Sequence, residues 1–538
     1  MTSAALSTDG RRFVALAKDD SLAVWDVETG AVLARLPLIG HQIVEATFLP
    51  NPDYVIAASH SGALRVWNIK NQKTLTLLAD SGEWIVYTDD GYFDGSRGGG
   101  HLVAAVSGLS GYRIDQMAIR NNRPDIILER LGLGSSELIS HYRALYERRL
   151  RKLGIREEEL DGTFEKAPTV EVVESSQLRR SAVLELDASA AHYDLKSYNV
   201  YVNDVPLFGL AGKPLSGRHQ RIRETVALST GKNEIEVGVL GMRGVESLRP
   251  SVSFFVSEKV PSDLYVLAIG VARFENHDLD LKFAAKDATD ITALLAKNGR
   301  NFAAVRTRVY TDDQVTAKSL DEAKEFLLSA KTDDTVVLFV AGHGMYDSSL
   351  HDYYFLTHQT DISRLAQTAV PFEQLESLLQ GIAPLKKLFL LDTCYSGEQD
   401  QKFTAVSFAE AGARGLVSRG IRRKALDNAS VPPTQHLYTQ GDRFIDNDLF
   451  RRSGAIVFSS SRGTELSYET DQLENGLFTE YVLRALSTKE ADLDKDGQIS
   501  SDELRNYVAR SVSAASNGLQ NPVVDRDNIE VRFVLPLK

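Results

Sequence analysis

One cysteine in 538 residues is the scarcest feature of this chain. Cys394 standing alone excludes internal disulfides and thiolate metal clusters, and leaves a thiol that either fills a core or performs chemistry. Long apolar runs are missing too. Thr335 to Gly342 and Leu388 to Leu391 fall well short of the ~18 residues that a membrane-crossing helix needs, so no span and no membrane partner are expected. An excess of basic charge is absent as well: 61 Lys and Arg stand against 73 Asp and Glu, a net charge of −12. That balance removes any general attraction to nucleic acid or to an anionic surface. The opening MTSAALSTDGRRF lacks the charged-then-apolar order of a secretory signal, so the expected location is cytoplasmic. What is present is an ordinary globular composition, 43% hydrophobic and 25% charged. At roughly 150 residues per domain, the length implies between three and four domains.

The periodicity changes along the chain. Residues 1–80 hold two similar blocks, DGRRFVALAKDDSLAVWDVETGAVLARL and NPDYVIAASHSGALRVWNIKNQKTLTLL, whose Trp25-Asp26 and Trp67-Asn68 pairs lie 42 residues apart with Gly40-His41 between them. These blocks resemble WD repeats, each a four-stranded blade. Two blades are fewer than the about four that a closed ring needs, so the expectation is either that they dock on another part or that the chain begins within a once longer protein. GEWIVYTDDGYFDGSRGGG reads as turns and connector, completing a first region at 1–107. A helical linker at 108–165 follows, in which SSELISHYRALYERRLRKLG places Leu138, Tyr142, Leu145 and Leu150 on one face behind a Ser135 or Ser136 cap. Its Arg148, Arg149, Arg151 and Lys152 are expected to form a solvated face. At 166–258 the period becomes two, in SAVLELD, SYNVYVND, NEIEVGVL and PSVSFFV, which argues an Ig-like β-sandwich.

Beyond Pro261 strands alternate with helices. DLYVLAIGV, TVVLFVAGHG, KKLFLLDTCYSG and SGAIVFSSS are nearly continuous apolar runs suited to strands covered on both faces. Helical patterns at AAKDATDITALLAKNG, Ser319 to Ser329, PFEQLESLLQG and NGLFTEYVLRAL separate them, which implies a mostly parallel sheet flanked by helices over 262–538. In such a sheet reactive groups gather beyond the carboxyl ends of neighbouring strands. Two strand ends carry candidates: Gly342-His343-Gly344 and Asp392-Thr393-Cys394-Tyr395-Ser396-Gly397. A thiol with an ordinary pKa near 8.5 needs a basic partner to attack a carbonyl at neutral pH, and His343 is that partner.

His343 precedes Cys394 by 51 residues, the spacing found in caspases. Together YVLAIGV, LKFAAKDA, FVAGHG and LLDTCYSG resemble the caspase-type cysteine peptidases, in the metacaspase and bacterial orthocaspase branch. The resemblance covers about half the chain and implies a Cys394–His343 dyad without an essential third member. It also implies a primary pocket lined by Asp392 and Asp287, which would select Arg or Lys at the cleaved position. Lys286 stands where that branch has asparagine, a departure that would weaken the pocket's negative field. Where aspartate-reading caspases carry arginine, in a Ser-aromatic-Arg segment, this chain has Ser467-Tyr468-Glu469, which points again to basic substrates. An aspartate-specific enzyme and a non-catalytic scaffold that keeps the fold are the rival readings.

DLDKDGQISSDE fits a calcium loop of the EF-hand type, with Asp492, Asp494 and Asp496 at positions 1, 3 and 5, Gly497 at 6, the Gln498 carbonyl at 7, Ser500 at 9 and bidentate Glu503 at 12. No second such loop is found, although these loops usually pair. Calcium is therefore the expected cofactor, no organic one is expected, and the partners are protein substrates and proteins recruited by the N-terminal β regions. Glu398 to Phe450, with Arg414, Arg419, Arg422, Arg423 and Lys424, is a long polar insertion that suits self-cleavage.

Overall fold

Alternating apolar and polar residues near the N-terminus fold as antiparallel meanders. The computed structural model describes the chain apart from residues 1–3, 18–20, 38–42, 97, 108–109, 133, 161–165, 348–351, 394–415, 419–442, 445–452, 462–464, 489, 527–533 and 537–538. Ala4–Leu6, Arg12–Leu16, Ser21–Asp26 and Val32–Pro37 pair in sequence order, and so do Ile43–Phe48, Tyr54–Ser59, Leu64–Asn68 and Lys73–Asp80. Val14, Val24, Val55 and Trp67 pack in a core common to both sheets. The stretch read as a connector proves to be more of the second sheet: Glu83–Tyr87 and Phe93–Ser96 continue it, turning at Gly91 with φ 89°. Its glycines and aspartates mark only the turns, while Ile85 and Phe93 have an apolar surface to bury against Ile114 and Ala118.

The linker helix α1 (Ser136–Leu153) starts where the Ser135 hydroxyl accepts the Leu138 N–H at 3.2 Å and stops at left-handed Gly154. Its cations are not a solvated face, and of the four only Arg151 is exposed. Arg149 is 1% exposed and donates through Nη1 to the carbonyls of Ala118, Ile119 and Asn122 at 3.0, 3.0 and 3.1 Å. Those carbonyls lie along and just past the short helix Ala118–Asn121, where few intrahelical N–H donors remain, and a guanidinium reaching in from another helix adds a donor to each. After α1, Thr169–Leu178, Ser181–Ser189 and His219–Ala227 form one antiparallel sheet; Leu195–Val202, Gly231–Gly241 and Ser251–Val256 form another. Leu184, Leu186, Val200, Ile235 and Val237 fill the core they share.

In the C-terminal half the sheet runs in the order β2 (Val305–Thr311), β1 (Leu264–Gly270), β3 (Thr335–Gly342), β6 (Lys386–Thr393), β8 (Ala455–Ser459) and β12 (Val523–Arg526). Its first five strands are parallel and only β12 is reversed. Helices α2 (Ala284–Asn298), α5 (Leu477–Ser487) and α6 (Ser501–Ser516) cover one face; α3 (Ala317–Leu328) and α4 (Phe372–Ser377) cover the other. Between β3 and β6 lies a hairpin of β4 (Gly344–Asp347) and β5 (Asp352–Phe355). A separate small sheet joins β7 (Leu416–Ser418), from within the polar insertion, to β9 (Tyr468–Thr470) and β10 (Asn475–Gly476). Of the insertion's basic residues, the cluster Arg414, Arg419, Arg422, Arg423 and Lys424 lies outside the described residues. Two glycines let the site assemble. A Cβ on Gly270 would meet the Ala284 carbonyl of α2 at 2.4 Å, and Gly342 takes φ 153° with Phe355 and the Val271 carbonyl close by.

Arg149→Met keeps the apolar stem but leaves the Ala118, Ile119 and Asn122 carbonyls without that donor. It should destabilise the N-terminal region by about 3 kcal/mol, the cost of stranding buried polar groups, read as a lower urea midpoint. Arg149→Lys, a compact ammonium in place of a fork, should recover only part of that loss. A Met variant with the parent's midpoint would remove Arg149 from this role.

Candidate active site

The sheet brings the two strand ends together. β3 and β6 are parallel neighbours in the register Ala341↔Asp392 and Gly342↔Thr393, and His343 and Cys394 each directly follow, in sequence, one residue of that last pair. Cys394 itself lies outside the described residues. His343 is 4% exposed, its ring lies 5.3 Å from that of Phe274, and its Nε2 is 2.8 Å from the Leu279 carbonyl oxygen. A carbonyl only accepts, so Nε2 carries the hydrogen and Nδ1 is the basic nitrogen of the neutral ring. Leu279 sits in the single turn His277–Leu279, whose start is capped by the Asn276 side chain on the Asp278 N–H. Asp280 fixes the same loop by accepting the Phe274 N–H at 2.8 Å. Burial pushes the Asp280 carboxyl upward, but hydrogen bonds from Phe274, His277 and Arg273 hold it below the usual carboxylate range. A backbone carbonyl leaves no mark in a sequence, so Leu279 could not have been picked out beforehand.

The acidic candidates converge on the β9–β10 hairpin. Asp392 is fully buried; Ser467 Oγ donates to its Oδ1 and Thr479 Oγ1 to its Oδ2, each at 2.6 Å. Asp287, also fully buried, accepts the Gly476 N–H at 3.1 and 3.2 Å through its two oxygens. Glu469 is 1% exposed and accepts the Lys282 N–H at 2.9 Å and the Phe283 N–H at 3.4 Å, where α2 begins. Glu469 and Gly476 are cross-strand partners, so Asp287 and Glu469 act on one short hairpin. Lys286, the cation beside Asp287 in sequence, sends its Nζ to Asp290 at 2.6 Å and to the Asn475 Oδ1 at 3.1 Å. Thr479 was missed: within NGLFTEY its hydroxyl looks like any helix-surface threonine.

The acidic loop lies between α5 and α6. Ligand oxygens of Asp492, Asp494 and Asp496 all fall within 4.8 Å of one another. The turn is tightened by Asp496 N–H to Asp492 and Asp494, both 3.1 Å, and by Gly497 at φ 82°. Glu503 closes it, accepting the Leu493 N–H at 2.8 Å, the Ser500 N–H at 2.9 Å and the Ser500 hydroxyl at 2.7 Å. Burial raises the Glu503 pKa, yet the hydrogen bonds from Ser500, Leu493 and Asp494 outweigh it and keep the carboxyl below its ordinary 4.5. That part of the stability is present at neutral pH and is lost as acid titrates the group. Gln498 opens β11 (Gln498–Ser500), which pairs with β13 (Val534–Pro536) in place of a second loop. Three carboxylates within ligand reach of one another, a carbonyl donor and a glutamate at the closing position make an oxygen-only donor set that fits Ca²⁺.

The caspase-domain model of the Peptidase C14 family matches residues 264–534, half of the chain. No curated protein matches the chain. Among solved structures, the crystal structure of protein GSU0716 from Geobacter sulfurreducens aligns at 16% identity, covering 49% of this chain and 93% of that one, with a TM-score of 0.32.

Thr479→Val removes one hydroxyl from a fully buried carboxylate at constant shape. It should cost roughly 1.5–3 kcal/mol, the range for a hydrogen bond to a charged group, and lower the melting temperature. Thr479→Ser should retain most of it. Equal melting temperatures for the Val variant and the parent would mean that Thr479 does not support Asp392.

Proposed function

This chain belongs to the caspase-domain family of cysteine peptidases, and we propose that it is an endopeptidase cleaving proteins after Arg or Lys through Cys394 and His343. The observation that carries the reading is the Gly342↔Thr393 register, with the Leu279 carbonyl holding Nε2 of His343. In this reading Nδ1 takes the Cys394 proton and the thiolate adds to the scissile carbonyl. Backbone N–H groups of the turns beyond the strands receive the oxyanion. The C–N bond then breaks, the imidazolium returns the proton to the leaving amine, and a thioester remains. Water, deprotonated by the same imidazole, hydrolyses the thioester and restores the thiol.

Preference for a basic residue rests on Asp392, Asp287 and Glu469, three carboxylates gathered at one hairpin with Ser467 beside them. A guanidinium entering there would meet charge-assisted acceptors in a water-poor site. In the acidic loop, Asp492, Asp494, Asp496, Gln498, Ser500 and Glu503 would hold calcium, whose charge would tie α5 to α6. Because α5 carries Thr479 against Asp392, ordering it firms the pocket and makes activity calcium-dependent. The N-terminal meanders, read as WD-repeat-like, and the two-sheet region, read as Ig-like, recruit or restrain the peptidase in the cytoplasm. Among the described residues no helix is long and apolar enough to cross a membrane. The basic segment of the insertion is its self-cleavage site.

Fluorogenic peptides that differ only at the residue before the cut should be turned over with Arg or Lys there and not with Asp or Ala. Cys394→Ala should abolish turnover and His343→Ala nearly so, with both variants folded. Asp392→Asn should lower kcat/KM for Arg peptides by roughly tenfold or more, as loss of a charged hydrogen bond implies. A preference for Asp would overturn the pocket assignment, and an active Cys394→Ala protein would overturn the dyad.

For calcium the test is Glu503→Gln. In chelator it should lower the melting temperature, because one acceptor of the Leu493 and Ser500 donors is lost. In calcium the drop should be larger, since binding to the folded form alone adds about 2.7 kcal/mol at a hundredfold excess over Kd. The same drop in both conditions would make the loop an acidic turn without an ion.

A further inference from the structure

The hairpin that follows His343 touches both strand ends of the proposed dyad. The Leu356 N–H, just past β5, donates to the His343 carbonyl at 3.0 Å. Two residues before the end of β5, the Tyr353 hydroxyl lies 2.7 Å from Thr393 Oγ1. Thr393 directly precedes Cys394 and is fully buried, and its carbonyl also accepts the Ser460 hydroxyl at 3.1 Å. Tyr353 therefore holds the residue that directly precedes the thiol in sequence, while the same hairpin holds the backbone that carries the imidazole.

Tyr353 is itself held at its flanks. Its ring meets Phe372 edge-on, centroids 5.5 Å apart at 74°. The residues next to these two rings, Asp352 and Glu373, face cations of α1. Arg148 reaches Asp352 at 3.5 Å and Glu373 at 3.6 Å, and Lys152 reaches Glu373 at 2.9 Å. Between these two cations stands Arg149, buried in the carbonyls of residues 118–122. That segment is bonded to the N-terminal sheet through the Arg123 N–H and the Phe93 carbonyl at 2.9 Å. Helix α1 thus links residues 118–122, which adjoin the N-terminal sheet, to the acids that flank Tyr353 and Phe372.

We propose that Tyr353 is a positioning residue for Cys394, and that the contact of Arg148 and Lys152 with Asp352 and Glu373 sets its place, so that α1 couples the N-terminal β region to the reactivity of the thiol. The proposal rests on the peptidase reading above and adds to it a tyrosine and a control element.

Cys394 is the one cysteine of the chain, so the pH dependence of alkylation by iodoacetamide reads its thiol alone in the full-length protein. In the parent the thiol should titrate below the ordinary value of about 8.5. Tyr353→Phe keeps the ring against Phe372 and removes only the hydroxyl. The thiol pKa should then rise toward the ordinary value, and kcat should fall by about tenfold to a hundredfold at unchanged KM, the scale of a small misplacement at a reacting group. Arg148→Glu with Lys152→Glu should do the same, and adding Asp352→Lys with Glu373→Lys should bring the parent profile back. A loss that merely reflects poor folding would show as a lower melting temperature without the rise in thiol pKa, and would overturn the proposal. So would an unchanged thiol profile in Tyr353→Phe, or a reversed-charge variant that the swapped pair does not repair. A parent thiol that titrates near 8.5 and supports no turnover would instead overturn the dyad itself, and this proposal with it.

Discussion

Everything at the candidate site depends on the parallel pairing of β3 with β6. Both strands are buried along nearly their whole length, because Val337, Phe339, Leu388 and Leu390 on one face and Leu338, Val340, Phe389 and Leu391 on the other must all be covered. The covering helices fix the register as well as the fold: a slip by one residue would turn each apolar set to the other face. Since the strands run the same way, their carboxyl ends coincide at Gly342 and Thr393, the residues directly before His343 and Cys394 in sequence. The dyad reading draws on this constraint more than on any property of histidine or cysteine alone.

The acidic groups add a second constraint of another kind. Asp287, Asp392 and Glu469 reach across 189, 75 and 186 residues of sequence to meet N–H and hydroxyl donors on other elements. Each is thereby a structural tie as well as a candidate ligand. A buried carboxylate that already receives oriented donors needs no reorganisation when a cation arrives, which suits recognition of a basic side chain. It also means that substitutions there act on the hairpin, on the start of α2 and on the pocket together.

Legibility in the sequence followed burial. The strands covered on both faces, and the helices between them, could be read from continuous apolar runs and helical spacing, so the α/β character of the C-terminal half was available from residues alone. The β character of much of the N-terminal half was available too, from the two repeated blocks of residues 1–80 and from the period of two within 166–258. The edge strand β2 escaped notice because VRTRVYT sets arginines between its apolar residues, as an edge exposed to water permits. Glu83–Tyr87 was hidden by the glycines and aspartates around it. Arg149 was misplaced for a sharper reason: a cation among cations reads as surface, and only the tertiary approach of residues 118–122 supplies the carbonyls that take it inside. The Leu279 carbonyl and the Tyr353–Thr393 contact are of the same sort, being produced by the approach of distant segments.

The pairing of β11 with β13 carries a consequence for the far end of the chain. In a two-loop calcium domain, each loop's short strand is steadied by the other loop, and occupancy of one site is felt at its twin. Here the steadying strand bears no ligands of its own, so the coupling runs to a segment that arrives after α6 and β12. Lifting that segment away would unpair one side of the acidic loop without touching a single carboxylate. The loop is in effect splinted from outside its own twelve residues, so whatever disturbs Val534–Pro536 bears on the backbone of Gln498–Ser500 before it bears on any acid.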